Sequence, residues 1–234
     1  MVKIGQSDVF DLVKNMMMKS AILAAAFAVA STAAQAITLV SFEGVNGATV
    51  NGTDEAPGVT QFNLGRSIGL TQNAGLTFNS RDWEEGVDKL TALANNNAIF
   101  WGLVIDASSP YDLTTLEIDY DRSNTGPTSM AIDLFIDNVF QAEVFSNNAV
   151  ANSASQTATV DLSAFSNVTG AVFFRLSAWG ASSALGTFDI ENDLAGGRGI
   201  IISGEVAAVP LPAGLPLLAG SLALLAGLRR RQKS

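Results

Sequence analysis

The chain of 234 residues contains no cysteine and no histidine. That excludes a thiol nucleophile, a disulfide framework, a histidine-based triad and a zinc site of the His/Cys type. Bases are scarce too: 13 stand against 22 acids, and seven of the bases lie near the two ends. Residues 37–209 keep six bases and 20 acids, a net charge of −14. Such a surface repels phosphate backbones and anionic headgroups, so no nucleic-acid partner is expected. Charged residues make up only 15% of the chain and hydrophobic ones 48%, which excludes an acidic disordered tail.

What is present falls into three parts. Residues 1–36 read as a secretory signal peptide. Lys19 gives a positive flank, and residues 21–30 (AILAAAFAVA) form an uncharged run of ten, too short to span a bilayer. Ala34 and Ala36 are the small residues that signal peptidase accepts, which places cleavage after Ala36. Asp8 and Asp11 dilute the positive flank, while Met16, Met17 and Met18 directly precede Lys19. Residues 1–15 therefore read as an overcalled start.

Residues 209–234 carry the most specific signal. Val209, Pro210, Leu211, Pro212 and Ala213 open it, residues 211–228 hold no charge, and Arg229, Arg230 and Arg231 close it. Eighteen helical residues reach roughly 27 Å, enough for a thin hydrocarbon core. The arginines stop transfer and stay cytoplasmic, leaving the middle of the chain outside the inner membrane. This tail resembles the C-terminal sorting signal of the PEP-CTERM class in its VPLPA variant. Residues 209–213 match the motif, 215–228 the helix, and Arg229, Arg230 and Arg231 the basic stop. The resemblance implies recognition by an exosortase-type transpeptidase, an inner-membrane intermediate, then transfer to the cell surface or release, in a Gram-negative bacterium that makes exopolysaccharide.

Residues 37–206 are rich in Thr, Ser, Asn, Gly, Val, Ile and Phe, in short alternating runs broken by turn formers. That pattern predicts an antiparallel all-β domain, a two-sheet sandwich or jelly roll of ten or more strands. Asp137-Asn138 predicts a tight hairpin inside 128–146. Strands are expected around 113–120, 99–105, 172–176, 37–43, 66–70, 76–80, 156–162, 187–190 and 199–206. Phe173 and Trp179 make the 172–176 strand apolar on both sides, which predicts a central position buried on both faces. Asp82 and Glu85 resemble a capping box, and Trp83, Val87 and Leu90 follow at helical spacing, predicting one helix over 83–94 with a Glu85–Lys89 pair. The domain also resembles, more loosely, the jelly-roll modules of PEP-CTERM proteins and of carbohydrate-binding modules. Three segments carry the likeness: Val40-Ser41-Phe42-Glu43, the run 174–180 and the run 202–206.

No catalytic residue is assigned. Asp82, Glu84, Glu85 and Asp88 cluster, but a helix start favours acids in any case. Gly196-Gly197-Arg198-Gly199 lacks the Lys-Ser/Thr of a phosphate loop. Asp119, Asp121 and Asn124 follow one strand, and Asp189, Glu191 and Asp193 alternate at the end of another. Hard oxygen donors so spaced suit Ca²⁺, with Glu43 as an added ligand under the jelly-roll resemblance; acidic strand ends account for both runs equally well. No cofactor other than such a structural ion is expected. Trp83 and Trp101 lie on apolar faces and read as core, whereas Tyr111 and Trp179 lie at strand ends. With Arg175, those two are the candidate glycan contacts. The expected function is that of a non-catalytic exported surface or matrix protein associated with exopolysaccharide. The alternatives are a glycoside hydrolase or lyase on the same scaffold and an unprocessed membrane-anchored protein.

Overall fold

Period-two alternation builds the domain. The computed structural model describes residues 35–208 apart from Glu55, Val87, Ser153 and Ala154. Ala34, the motif 209–213, the helix expected at 211–228 and Arg229, Arg230 and Arg231 lie outside the described residues. Among the described residues no helix is long and apolar enough to cross a membrane. The strands are β1 (Ile37–Phe42), β2 (Thr49–Val50), β3 (Thr53–Asp54), β4 (Val59–Arg66), β5 (Thr71–Gln72), β6 (Phe78–Arg81) and β7 (Ala98–Ile105). After these come β8 (Tyr111–Arg122), β9 (Ser129–Ile136), β10 (Val139–Asn147), β11 (Gln156–Asp161), β12 (Gly170–Trp179), β13 (Phe188–Ile190) and β14 (Ile200–Val206). One helix, α1 (Lys89–Ala94), stands between β6 and β7.

Two antiparallel sheets result. One runs β3-β1-β14-β8-β13-β6-β5, with β11 on the free edge of β8. The other runs β10-β9-β12-β7-β4-β2. Their inner faces form one buried cluster: Leu116, Ile118, Ile200 and Ile202 from the first, Ile99, Trp101, Leu134 and Phe174 from the second. Trp101 and Phe174 stack at 5.8 Å, and Trp83 packs edge-on against Phe188 at 5.6 Å. Trp83 and Trp101 are both core residues, 2% and 0% exposed.

The hairpin forms at Asp137-Asn138, where both residues take positive φ (50° and 64°) as a two-residue primed turn requires. The predicted helix is much shorter than 83–94. Asp88, not Asp82, caps it, its carboxylate accepting from Thr91 N–H at 2.8 Å. Asp82 instead has φ 67°, and Trp83 turns into the core with its indole N–H donating to the Ser80 carbonyl at 2.8 Å. Burying the largest side chain of the segment outweighs the local capping pattern. Leu90, expected on the packed face, is 78% exposed, while Ala92 takes the buried position. The strand expected at 66–70 lies earlier, at Val59–Arg66, where a register irregularity between Phe62 and Gly65 had blurred the alternation.

β12 is central, paired with β7 and β9, but its second apolar side is not buried: Phe173 is only half-buried on the outer face. Gly102 on β7 permits the close packing there. A Cβ built on it would lie 2.2 Å from the Val172 carbonyl oxygen and 3.2 Å from the Phe62 ring. Gly102→Ala is expected to lose about 2 kcal/mol by this overpacking. Urea unfolding checks it: the midpoint falls at unchanged slope.

Candidate functional site

The outer face of the six-stranded sheet carries a row of phenylalanines. Cross-strand register aligns Phe140 (β10) with Phe135 (β9), Phe135 with Phe173 (β12), Phe173 with Gly102 (β7), and Gly102 with Phe62 (β4). Five strands contribute to this one line, which spans roughly 19 Å at the usual interstrand spacing. Phe100, in the next register row of β7, stacks on Phe173 with ring centroids 6.1 Å apart and planes 29° apart. Phe135 stands edge-on to Phe173 at 5.9 Å and to Phe140 at 5.7 Å. Phe62 and Phe140 are 40% and 55% exposed.

Glycines create room for the rings. Phe62 lies across Gly102, and Phe100 lies across Gly65, where a Cβ would meet its ring at 2.8 Å. Cross-strand Phe–Gly pairs of this kind cover an otherwise bare backbone. Between them opens a hollow of about 520 Å³ lined by Thr49, Gln61, Phe62, Asn63, Phe100, Asn138, Ala171 and Phe173. It offers aromatic surface rimmed by amide and hydroxyl groups, and among the described residues no titratable side chain lines it.

Charge enters one register row away. Glu143, Asp133 and Arg175 follow one another across β10, β9 and β12. Asp133 is 1% exposed. Its Oδ1 accepts from Lys89 Nζ at 2.5 Å and its Oδ2 from Arg175 Nη2 at 2.9 Å. Lys89 also reaches Glu143 Oε2 at 2.8 Å. The pairing expected between Lys89 and Glu85 thus gives way to pairing with a buried acid that needs it. Arg175 completes the arrangement by lying over the Phe135 ring, 4.8 Å from its centroid. Asp133→Ala is expected to cost about 3 kcal/mol, because it leaves Arg175 without its carboxylate and Lys89 with only the more exposed Glu143. Thermal unfolding of the variant checks this.

The three sequence candidates for glycan contact separate. Tyr111 is 2% exposed and donates its hydroxyl to the Pro57 carbonyl at 2.9 Å, so it is a core residue despite its place beside Pro110. Trp179 is half-buried at the end of β12, bridged to Glu84, away from the row. Arg175 lies at the flank of the row. Of these rings the sequence singled out only Phe173, and as a buried one; Phe62, Phe100, Phe135 and Phe140 were not singled out. Their signal was there: aromatic residues at the outward positions of strands whose inward positions were already apolar.

The two acidic runs meet on the outer face of the other sheet. β8 and β13 set Asp121 directly opposite Asp189, and β6 sets Asn79 on the far side of Asp189. Asp119 is buried, its carboxylate accepting from Ser155 Oγ at 2.6 Å and from the Asp193 backbone N–H at 2.7 Å. Asp121 accepts from the Arg122 N–H, and Asn124 from the Asn152 amide. Asp119, Asp121 and Asn124 therefore each serve a local partner. Among the described residues no group of three or more acids is arranged to hold a metal ion. Glu43 pairs with Arg198 at 3.1 Å.

Burial, then the charges of Glu191 and Asp121, push the Asp189 carboxyl up to about 7 against the pull of Arg66. Burial and the neighbouring Asp121 raise Glu191 as well. Oδ1 of Asp189 and Oδ1 of Asn79 are buried with no hydrogen-bond donor. The Arg66 guanidinium, stacked 3.6 Å from the Phe78 ring centroid and donating to Ser80 Oγ, is itself lowered to about 10 by burial.

No family model matches the chain, and no curated protein does. Among solved structures it is similar to CBM29_1, a family 29 carbohydrate binding module from Piromyces equi. That likeness covers 76% of this chain and 94% of the other at 8% identity and a TM-score of 0.36. It is too slight to transfer a ligand or a residue role.

Proposed function

We propose that the domain is a non-catalytic glycan-binding module of the cell surface or extracellular matrix, exported and sorted through residues 209–234. One observation carries the binding part: the phenylalanine row of the six-stranded sheet, with its amide-rimmed hollow. A pyranose offers one face of C–H groups to an aromatic ring while its hydroxyls need polar partners at the edge. Phe100 and Phe173 supply the first. Asn63, Asn138, Gln61 and Thr49 supply the second. A domain that leaves several rings half-exposed in one line presents an apolar surface suited to a ligand. Among the described residues the lining of the hollow is aromatic, amide and hydroxyl, a surface for holding rather than cleaving.

Affinity electrophoresis of the full chain in gels containing soluble polysaccharide tests the reading. Retardation by at least one glycan, lost on replacing Phe100 and Phe173 by Ala, supports it. Unchanged mobility in every gel removes it.

Export and sorting rest on sequence. The uncharged run at 21–30, the small residues Ala34 and Ala36, and the tripartite tail support signal peptidase and an exosortase-type transpeptidase as processing partners. Pro210→Ala with Pro212→Ala is expected to keep the protein in the inner membrane at its unprocessed mass. Comparing cell-associated and released protein by immunoblot checks this, and an unchanged distribution leaves a plain membrane anchor as the better account.

A second reading has one observation in its favour. Asp121 and Asp189, cross-strand neighbours on β8 and β13, both line a hollow of about 340 Å³, and Asp189 is raised to about 7. Paired carboxyls of unequal proton affinity can perform acid–base cleavage of a glycosidic bond. Sugar release that disappears on Asp189→Asn would establish the enzyme.

A further inference from the structure

We infer that the phenylalanine row selects uncharged polysaccharide and excludes chains bearing carboxylate or sulfate. This rests on the glycan reading above and specifies its ligand. The deciding feature is the register row beside the rings. A polyanion needs a cation whose charge is not already compensated, and the two cations bordering the row, Lys89 and Arg175, are both paired with carboxylates. Lys89 bridges Asp133 and Glu143, and Arg175 gives one Nη to Asp133 while its face covers Phe135. Two bases against two acids leave this row with no net charge. Asp133 is buried between the two bases, one on each carboxylate oxygen, so drawing either towards a ligand strips one buried oxygen of its partner.

The hollow itself is lined by aromatic rings, amides, a hydroxyl and a methyl group. A carboxylate entering it would lose water and gain only neutral donors, and burial without a counter-charge is costly. An uncharged sugar loses little, because amides replace water at its hydroxyls and the rings take its C–H face. Ring centroids spaced 5.7, 5.9 and 6.1 Å from Phe140 to Phe100 are of sugar-ring dimensions. The ligand therefore runs across the strands rather than along them.

Full-length protein is electrophoresed through gels holding a soluble β-1,4-glucan, a mannan, polygalacturonate or carboxyl-reduced polygalacturonate. Microscale binding measurements are made in parallel at low salt and at about 1 M NaCl, where the screening length is about 3 Å. Binding of a neutral polymer at least ~10-fold tighter than of polygalacturonate is expected. The preference should persist at high salt, which removes the long-range repulsion of the acidic domain but not the missing counter-charge. Carboxyl reduction should recover the lost affinity. Glu143→Gln, which releases one of the two carboxylates on Lys89, should raise affinity for polygalacturonate relative to the β-glucan. Equal or tighter binding of polygalacturonate at high salt, or no gain on reduction, overturns the selectivity. If Phe100→Ala with Phe173→Ala binds every polymer as well as the parent, or if none of the four binds, the glycan reading falls and the selectivity falls with it.

Discussion

Replacing Phe100 and Phe173 together by Ala is expected to weaken polysaccharide binding about 100-fold while the fold survives. The two rings stack with planes 29° apart, wall the same hollow and present their free surfaces to solvent. A ring that stacks on a ligand contributes roughly 0.5–1.5 kcal/mol beyond simple burial, and tenfold in affinity is about 1.4 kcal/mol. Each single substitution should therefore cost about tenfold, and the pair about the product unless the rings share one sugar, when the second loss is smaller. Stability should change little by comparison, because both rings are only half-buried. Near-ultraviolet dichroism and melting temperature confirm the fold, and isothermal titration reads the affinity. Leu90→Ala, on the exposed side of α1, is the matched control. A double variant that binds like the parent would show that the rings are a structural cover for Gly65 and Gly102 and nothing more.

The sandwich was legible in the sequence because its strands alternate. Leu116, Ile118 and Tyr120 point inward, and Glu117, Asp119 and Asp121 point outward, as their period predicts. The hairpin was legible because Asp137 and Asn138 tolerate positive φ. The phenylalanine face was not, and the reason is specific. An apolar residue at an outward position has the same sequence signature as a strand buried on both sides, so Phe173 read as core. Only the register of β7, β9 and β12 shows that Phe173, Phe135 and Phe100 lie together on the outer face, where each stays half-buried among the described residues. Tyr111 illustrates the converse. Its neighbour Pro110 marked a strand end, but strand ends near a sandwich corner are still buried when a loop such as that of Pro57 closes over them. The helix was misplaced because a capping pattern is local while the burial of Trp83 is tertiary. The meeting of Asp121 with Asp189 was invisible for a plainer reason: 68 residues separate them, and pairing of β8 with β13 depends on the whole sheet.

That meeting leads to the largest expected effect on stability. Asp189→Asn should raise the unfolding free energy at pH 8 by about 2–4 kcal/mol and change it little below pH 4. Like charges set directly opposite on neighbouring strands destabilise a sheet, and burial adds to the cost. In the folded chain the Asp189 carboxyl is raised to about 7, against 3.8 for the free side chain. Between those values the folded form holds a proton that the unfolded form has released, so stability falls as pH rises through the interval. Below about pH 4 both forms are protonated and the penalty vanishes. Above about pH 7 both are ionised and it is present in full, of order 4 kcal/mol for three units. Glu191, also raised, pushes in the same direction. The amide removes the charge and brings N–H donors between Asp121 and the unpartnered Asn79 oxygen, which flank Asp189 across β8 and β6. Urea unfolding of parent and variant from pH 4 to pH 8 checks the account. The parent should lose stability through this window, and the variant should lose less. Parallel curves would mean that the two carboxylates are held apart or neutralised by another group, and a divalent cation that stabilises only the parent at pH 8 would identify that group.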